Sequence, residues 1–510
     1  MPDTTLHPVM ELDPARAARA GGPHYGVVDI GSNSVRLIVY DQLSRAPFPR
    51  FNEKSLCRLG AGLDQTGELS DESMRRTVEA MRRFRAVADA MEVPQVDAIA
   101  TEAVRRATNG QELLARIAAE SGFAVRILSG ADEARYAALG VAAGFYRPAG
   151  LVGDMGGGSL EIAEILHHSV SNDSASMPLG ALPVQAFLAG GKGSAKARVD
   201  AILHESLPHV PSRATFYAVG GGWRAFARVH MASAGAAVQA VHGYSVDARE
   251  ARRFAKTLWR LPEANLAALP GVPARRIDTL PAAALVLDRV LKYLGPERLV
   301  FSSLGVREGW LYTQLSRDEQ ERDPLLEGAQ SFGMSRARVP EFASALVRWT
   351  DDLFGNETPA ERRLRVAACA LSDIAWRDHQ GIRAAESFRR LIQFPFIGLD
   401  HAERVYIASV VHSRYAGAPN DPALAGAKAL LPAGSRRRAL ILGRVLLLGH
   451  RLSGSVPQML ESARLAIGSN TVRLEVGKQV RVPDSDVVKE RLDLVARAAG
   501  AERTEIVEAA

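Results

Sequence analysis

Cysteine is nearly missing from this 510-residue chain: only Cys57 and Cys369 occur. Two thiols are too few for a disulfide framework or a thiolate metal cage, and they suit a reducing compartment. Lysine is also scarce, with 8 among the 63 basic residues, so 55 are arginine. Long apolar runs are absent. The most lipid-like stretch, 439–448, is too short to cross a bilayer and carries Arg444. The first 21 residues hold Asp3, Pro8, Glu11, Asp13 and Pro14 without an apolar segment, which gives the expectation of no secretory signal, no membrane association and a cytoplasmic location.

What is present is ordinary for a globular chain, 47% hydrophobic and 24% charged residues. The length suggests roughly three domains at about 150 residues each. The net charge of +6 is carried mainly by guanidinium groups. Codon usage in a GC-rich genome gives such a bias, and so does a polyanionic partner, because guanidinium forks pair bidentately with phosphate oxygens. Charge alone does not separate polyphosphate from nucleic acid.

Apolar runs near 26–40, 96–100 and 124–128 alternate with amphipathic helical stretches such as 73–90, an α/β signal over 24–144. The theme returns over 145–316, with runs at 151–165, 216–219 and 298–302 and a helical 307–315. The charged 316–323, followed by Pro324, reads as a linker. Over 325–510 helical patterns dominate (361–376, 402–412, 436–448), with strands expected within 464–482, a turn at Gly477 and Lys478, and a last helix near 486–499.

One motif occurs twice. Asp29-Ile30-Gly31-Ser32-Asn33-Ser34-Val35-Arg36-Leu37 and Asp154-Met155-Gly156-Gly157-Gly158-Ser159-Leu160-Glu161-Ile162 share the pattern D-x-G-x-x-S-[VL]-x-[LI], 125 residues apart. Each follows an apolar strand and precedes residues alternating like another. Strand–turn–strand is neither a dinucleotide loop, whose glycines open a helix, nor a P-loop; 190–194 also fails the P-loop spacing. Such a turn aims backbone N–H groups and a serine hydroxyl at phosphate oxygens. A strand-end aspartate such as Asp29 can hold a hydrated divalent cation. A third glycine loop, Val219-Gly220-Gly221-Gly222, follows another apolar run.

The paired hairpins resemble the actin-like, sugar-kinase and Hsp70-like superfamily, whose two ribonuclease H-like lobes hold phosphate between them. The resemblance sharpens with the segments 100–109 (ATEAVRRATN), 129–135 (SGADEAR), 153–161 (GDMGGGSLE) and 305–312 (GVREGWLY). With the first hairpin, and in this order, they resemble the exopolyphosphatase / guanosine pentaphosphate phosphatase family. That resemblance implies two actin-like α/β lobes (24–144 and 145–316) and a mainly α, HD-like domain (325–510) without metal ligands.

It also implies roles. Glu133, which by position alone is an ordinary first-turn acid beside a Ser129/Asp132 capping pattern, would act on the attacking water. Asp154 would join it in catalysis, and Arg105 would neutralise charge on the phosphoryl group. Gly31, Ser32, Asn33, Ser34, Gly156, Gly157, Gly158, Ser159, Gly221 and Gly222 would bind phosphate. Asp29, Asp154 and Glu161 would hold Mg²⁺ or another divalent cation. Glu161, standing on a strand, could equally be a solvated partner for an arginine. Trp223 departs from the small hydroxyl residue expected after the third loop.

The implied substrate is inorganic polyphosphate, with guanosine pentaphosphate as the alternative, (p)ppGpp as a further ligand, no nucleic acid partner and a homodimer. Two other classes fit the same lobes: a nucleotide-driven kinase or chaperone ATPase, and a catalytically silent (p)ppGpp sensor. In the third domain Ser372, before Asp373, stands where an HD histidine would, and His379, His401 and His412 lack ligand spacing. Arg389, Arg390, Arg436, Arg437 and Arg438 would guide a long polyanion. A last segment, Ile467-Gly468-Ser469-Asn470-Thr471-Val472-Arg473-Leu474, nearly copies the first hairpin with Ala466 in place of the aspartate, and reads as a plain tight turn.

Overall fold

The computed structural model describes residue 12 and residues 22–207, 213–477 and 485–508. Most of the N-terminal stretch read for a secretory signal, together with Lys478 and 479–482, lies outside them. Two compact units separate after Pro324: Gly21–Pro324, and Leu325–Ala510 with Met1–Ala20. Among the described residues no helix is long and apolar enough to cross a membrane.

The first unit holds two sheets built alike. In the first, β1 (Tyr25–Ile30), β2 (Val35–Tyr40) and β3 (Pro49–Ser55) form an antiparallel meander. Strands β4 (Gln95–Ala100) and β5 (Val125–Ile127) extend it in parallel from β1, giving the order β3-β2-β1-β4-β5. In the second, β6 (Ala149–Met155), β7 (Leu160–Leu166) and β8 (Ser169–Met177) repeat the meander. Here β9 (Thr215–Val219) and β11 (Arg298–Phe301) extend from β6 in parallel, and β10 (Ser245–Asp247) closes the edge antiparallel. Central strands flanked on both faces are apolar throughout: β9, Thr-Phe-Tyr-Ala-Val, is wholly buried.

Two helices cross between the sheets. Helix α1 (Gly130–Gly144) follows the first sheet in sequence, yet packs on β6, β7 and β8. Alanine and glycine dominate it, and it is buried almost all round from Glu133 on. Further along, α2 (Ala181–Ala189), α3 (Lys192–Ser206) and α4 (Gly221–Ser233) belong to the second lobe. Near the end of the unit, α5 (Val306–Thr313) returns to the first sheet, where Trp310 and Leu311 join Tyr25, Val27, Ile38 and Tyr40. The two crossing helices approach so closely that a Cβ on Gly309 would run into the Tyr136 carbonyl, and one on Gly140 into the Gly305 backbone. The sequence divisions at 144 and 145 therefore follow chain order, while the packing exchanges one helix each way.

The stretch 316–323 is folded. Ser316 and Glu319 form a capping box for the turn Arg317–Gln320, whose Gln320 carbonyl accepts from Tyr312 Oη (2.9 Å) and Arg45 Nε (3.2 Å). Its charges had made it read as a linker.

The second unit is mainly helical, including Phe342–Asp351, Pro359–Ala370, Arg383–Gln393, His401–Arg414 and Ala433–Ser453. It ends in a small sheet, β12 (Ala463–Ile467), β13 (Thr471–Val476) and β14 (Arg503–Glu508), with the helix Asp486–Ala499 linking the parallel pair β13 and β14. Strand β14 was not foreseen, because five of its six residues are exposed and no apolar alternation marks it. The near-copy of the first hairpin is the β12–β13 turn, closed by Gly468 N–H to Thr471 O at 2.9 Å.

Candidate active site

The duplicated meanders put two rows of side chains at matching places. In the first sheet, register pairs Asp29 on β1 with Arg36 on β2, and Arg36 with Lys54 on β3. In the second, it pairs Asp154 on β6 with Glu161 on β7, and Glu161 with Ser176 on β8. One row therefore carries two adjacent cations and the other two adjacent carboxylates. Asp29, Arg36, Lys54, Asp154 and Glu161 line one cleft of about 190 Å³.

Both glycine turns line it as well, through Gly31, Ser32, Asn33 and Ser34 and through Gly156, Gly157, Gly158 and Ser159. Each is closed by the same bond, Gly31 N–H to Ser34 O (3.1 Å) and Gly156 N–H to Ser159 O (2.9 Å). They face each other closely, since a Cβ on Gly157 would stand 3.0 Å from Ser32 Cβ. Gly220, Gly221 and Gly222 form a third wall, and Gly220 gives α4 no side-chain cap. Uncapped first-turn N–H groups are an anion site. Trp223 turns the other way: fully buried, it donates from Nε1 to Ala283 O at 3.0 Å and packs edge-on against Phe216.

Glu133, in the first turn of α1, is buried and reaches the same cleft. Burial, partly offset by Arg105, pushes its carboxyl up to about 7. Arg105 pairs with Glu133 and donates to Leu128 O (2.5 Å); it is not among the described residues lining the cleft. Asp154 is pushed up to about 6 by burial, with Asp29 adding to the rise and Arg224 opposing it. Burial and the nearby Glu133 raise Glu161 well above the usual carboxylate range, although Ser176 Oγ donates to it at 2.9 Å. Glu161 is thus a buried acid of the cleft, and among the described residues no arginine pairs with it. Asp29 accepts from Arg307 Nη1 at 2.8 Å.

Sequence reasoning gave no role to several residues that belong here. Glu102 is buried, lines the cleft, accepts from Ser32 Oγ (3.1 Å) and pairs with Arg106 (2.5 Å). Arg36, Lys54, Arg224, Arg276 and Arg307 supply its positive charge. Burial, then Arg276 and Arg36, bring Lys54 down to about 8. Arg36, seven residues after Asp29, was findable from hairpin register. Arg276 ends a single 3₁₀ turn, Ala274–Arg276, with no signal of its own.

In the second unit, Ser372 Oγ donates to Cys369 O (2.8 Å) and lies 3.0 Å from His450 Nε2, while Asp373 is held by Arg338 (2.9 Å) and Arg414 (3.0 Å). The five arginines proposed to guide a polyanion all have partners in the fold: Glu386 for Arg389, Asp378 for Arg390, Lys428 O for Arg436, Ala499 O for Arg437 and Glu357 for Arg438.

Residues 38–318 match the model of the Ppx/GppA phosphatase family, and residues 325–507 that of the exopolyphosphatase C-terminal domain. A Mycobacterium leprae (strain TN) protein named Exopolyphosphatase 1 is 28% identical over 308 residues, covering 58% of this chain and 90% of that one. Retrograde regulation protein 2 of Saccharomyces cerevisiae is 27% identical over 346 residues, covering 60% of this chain and 58% of its own. Among solved structures, the Aquifex aeolicus member of the Ppx/GppA family superposes with TM-score 0.51 at 27% identity, over 57% of this chain and 97% of that one. An exopolyphosphatase from Cytophaga hutchinsonii gives TM-score 0.51 at 24% identity over 57% and 97%, a likeness of fold.

Proposed function

Since the chain belongs to the Ppx/GppA phosphatase family, and so is a hydrolase with actin-like lobes, we propose that it removes terminal phosphates from inorganic polyphosphate. The observation that carries this reading is the split of charge in one cleft. At matching places in the two meanders Arg36 stands where Glu161 does and Lys54 where Ser176 does, while Asp29 and Asp154 correspond, so the added cations lie on the first meander and the added carboxylate on the second. A chain of phosphates needs cations along its length, and the attacking water needs carboxylates at its end.

Glu133 holds the water and accepts its proton as the water oxygen bonds to the terminal phosphorus. The bridging P–O bond breaks, orthophosphate leaves, and the chain is one unit shorter. Arg105 keeps the Glu133 carboxylate oriented and ionisable, a positioning role. In a loose transition state charge spreads over the equatorial oxygens, where the N–H groups of the three glycine loops can meet it.

The donor set fits a divalent cation. Asp154, half-buried, and Glu161, buried, are carboxylates on adjacent strands, both raised by desolvation and by neighbouring acids, a deficit that positive charge relieves. Among the described residues no three acidic, histidine or cysteine side chains form a ready cage, and Mg²⁺ commonly takes one or two carboxylates, waters and substrate phosphates. Asp154 and Glu161 would hold it, and it would supply charge neutralisation at the phosphoryl oxygens. Asp29 is already engaged by Arg307.

Phosphate release with Mg²⁺ from long polyphosphate, tripolyphosphate, guanosine pentaphosphate and ATP tests the substrate. Polyphosphate is expected to give the highest kcat/KM. A higher value for guanosine pentaphosphate would overturn the substrate and keep the chemistry; release from ATP alone would overturn both.

A further inference from the structure

A second cavity of about 530 Å³ lies where α2 and α3 of the second lobe meet Asp64 and Arg106 of the first. Its size is that of small-molecule pockets, about 300–1,000 Å³, and its make-up matches them: apolar walls with a few convergent polar groups. Pro183, Phe187 and Ile202 supply apolar wall. Arg198 lies over the Phe187 ring, 4.1 Å from Cζ to centroid, and among the described residues it has no carboxylate partner. A guanidinium seated on an aromatic face, beside apolar wall and without a carboxylate of its own, offers its cation to a phosphate whose organic part can cover the apolar wall. Inorganic polyphosphate has no apolar surface to set against Phe187, Pro183 and Ile202.

The cavity is tied to both glycine turns of the cleft. At the start of α2, Ala181 N–H donates to Gly156 O (3.2 Å), Leu182 N–H to Gly157 O (2.8 Å) and Gly180 N–H to Gly158 O (3.2 Å). On the other side, Arg106 donates to Asp64 (2.7 Å) and Glu102 (2.5 Å), and Glu102 accepts from Ser32 Oγ in the first turn (3.1 Å). An occupant touching α2 and Arg106 together contacts the supports of both turns, and a ligand that prefers one lobe spacing shifts the population toward it.

We propose that this inter-lobe cavity is an effector site for a 5′-nucleotide, its base against Phe187 and its phosphate on Arg198, and that occupancy changes turnover in the cleft. The proposal does not depend on which phosphate chain is the substrate. AMP and GMP are titrated by calorimetry into the Glu133→Gln protein, with and without saturating tripolyphosphate, and again after adding Arg198→Ala or Phe187→Ala. Arg198 is exposed, so its removal leaves the packing in place.

At least one of the two nucleotides is expected to bind whether or not tripolyphosphate is present, and at least tenfold more weakly in each cavity variant. Phosphate release by the native protein should then change at least twofold with that nucleotide, and Arg198→Ala should abolish the change while keeping the basal rate. Competition by tripolyphosphate, binding indifferent to Arg198 and Phe187, or no binding up to millimolar concentration would each overturn the site. Binding without any change in phosphate release would overturn the coupling.

Discussion

Glu133 must be buried enough to hold a proton near neutral pH and still be able to give it up. Burial pushes its carboxyl up to about 7, and Arg105 restrains the rise. A general base works only when ionised, so kcat/KM for polyphosphate is expected to rise tenfold per unit below about pH 7 and to level off between about pH 7 and 8. Lys54, brought down to about 8 by burial and by Arg276 and Arg36, loses its charge above that pH. KM should therefore climb above about pH 8, and Lys54→Ala should remove that limb alone. Rates measured across pH 5.5 to 9.5 check both; a flat profile contradicts both assignments. These shifts were not legible in the sequence, where Glu133 is a first-turn acid beside a capping box. The acids that add to the rise, Asp154 and Asp29, stand on strands of two different sheets, far from Glu133 in the chain.

At the scale of elements, the hairpins were the most legible part of the chain. Their glycines, the aspartate before them and the alternation after them are local, and local patterns survive into the fold. The exchange of α1 and α5 between the sheets was invisible, because nothing within an alanine-rich helix says which sheet it will cover. The glycines also carry a packing duty. A Cβ on Gly158 would fall on the Glu102 carboxylate, and one on Gly180 would fall on the Gly158 backbone. Gly158→Ala is expected to cost about 1–3 kcal/mol, as overpacking does, and to lower activity by pushing Glu102 off Ser32. Gly193, in α3 with open space around it, is the control: Gly193→Ala should be neutral or slightly stabilising. Thermal melts of the two variants decide it; equal melting temperatures would show that the Gly158 contact is not tight.

Across the whole molecule, one fold unit has been used twice with different side chains at equivalent places. The sequence repeat revealed the duplication, and with it the two-lobed fold and the glycine turns of the cleft. It did not reveal that Arg36 and Lys54 mirror Glu161 and Ser176, since Lys54 lies on β3, outside the repeated motif, and joins the row only through strand register. Arg276 and Arg224 enter from a 3₁₀ turn and a helix that the motif does not contain. If the two rows divide the labour, damage on each side must show in different constants. The direct test is steady-state phosphate release from polyphosphate by the native protein, Glu133→Gln and Lys54→Ala. Glu133→Gln should lower kcat by about 10²–10⁴ with KM little changed, the range of a lost general base. Lys54→Ala should raise KM about tenfold with kcat little changed, the loss of one charge-assisted contact of about 1.5 kcal/mol. A Glu133→Gln protein that keeps native kcat, or two variants that change the same constant, would contradict the division of labour in the cleft.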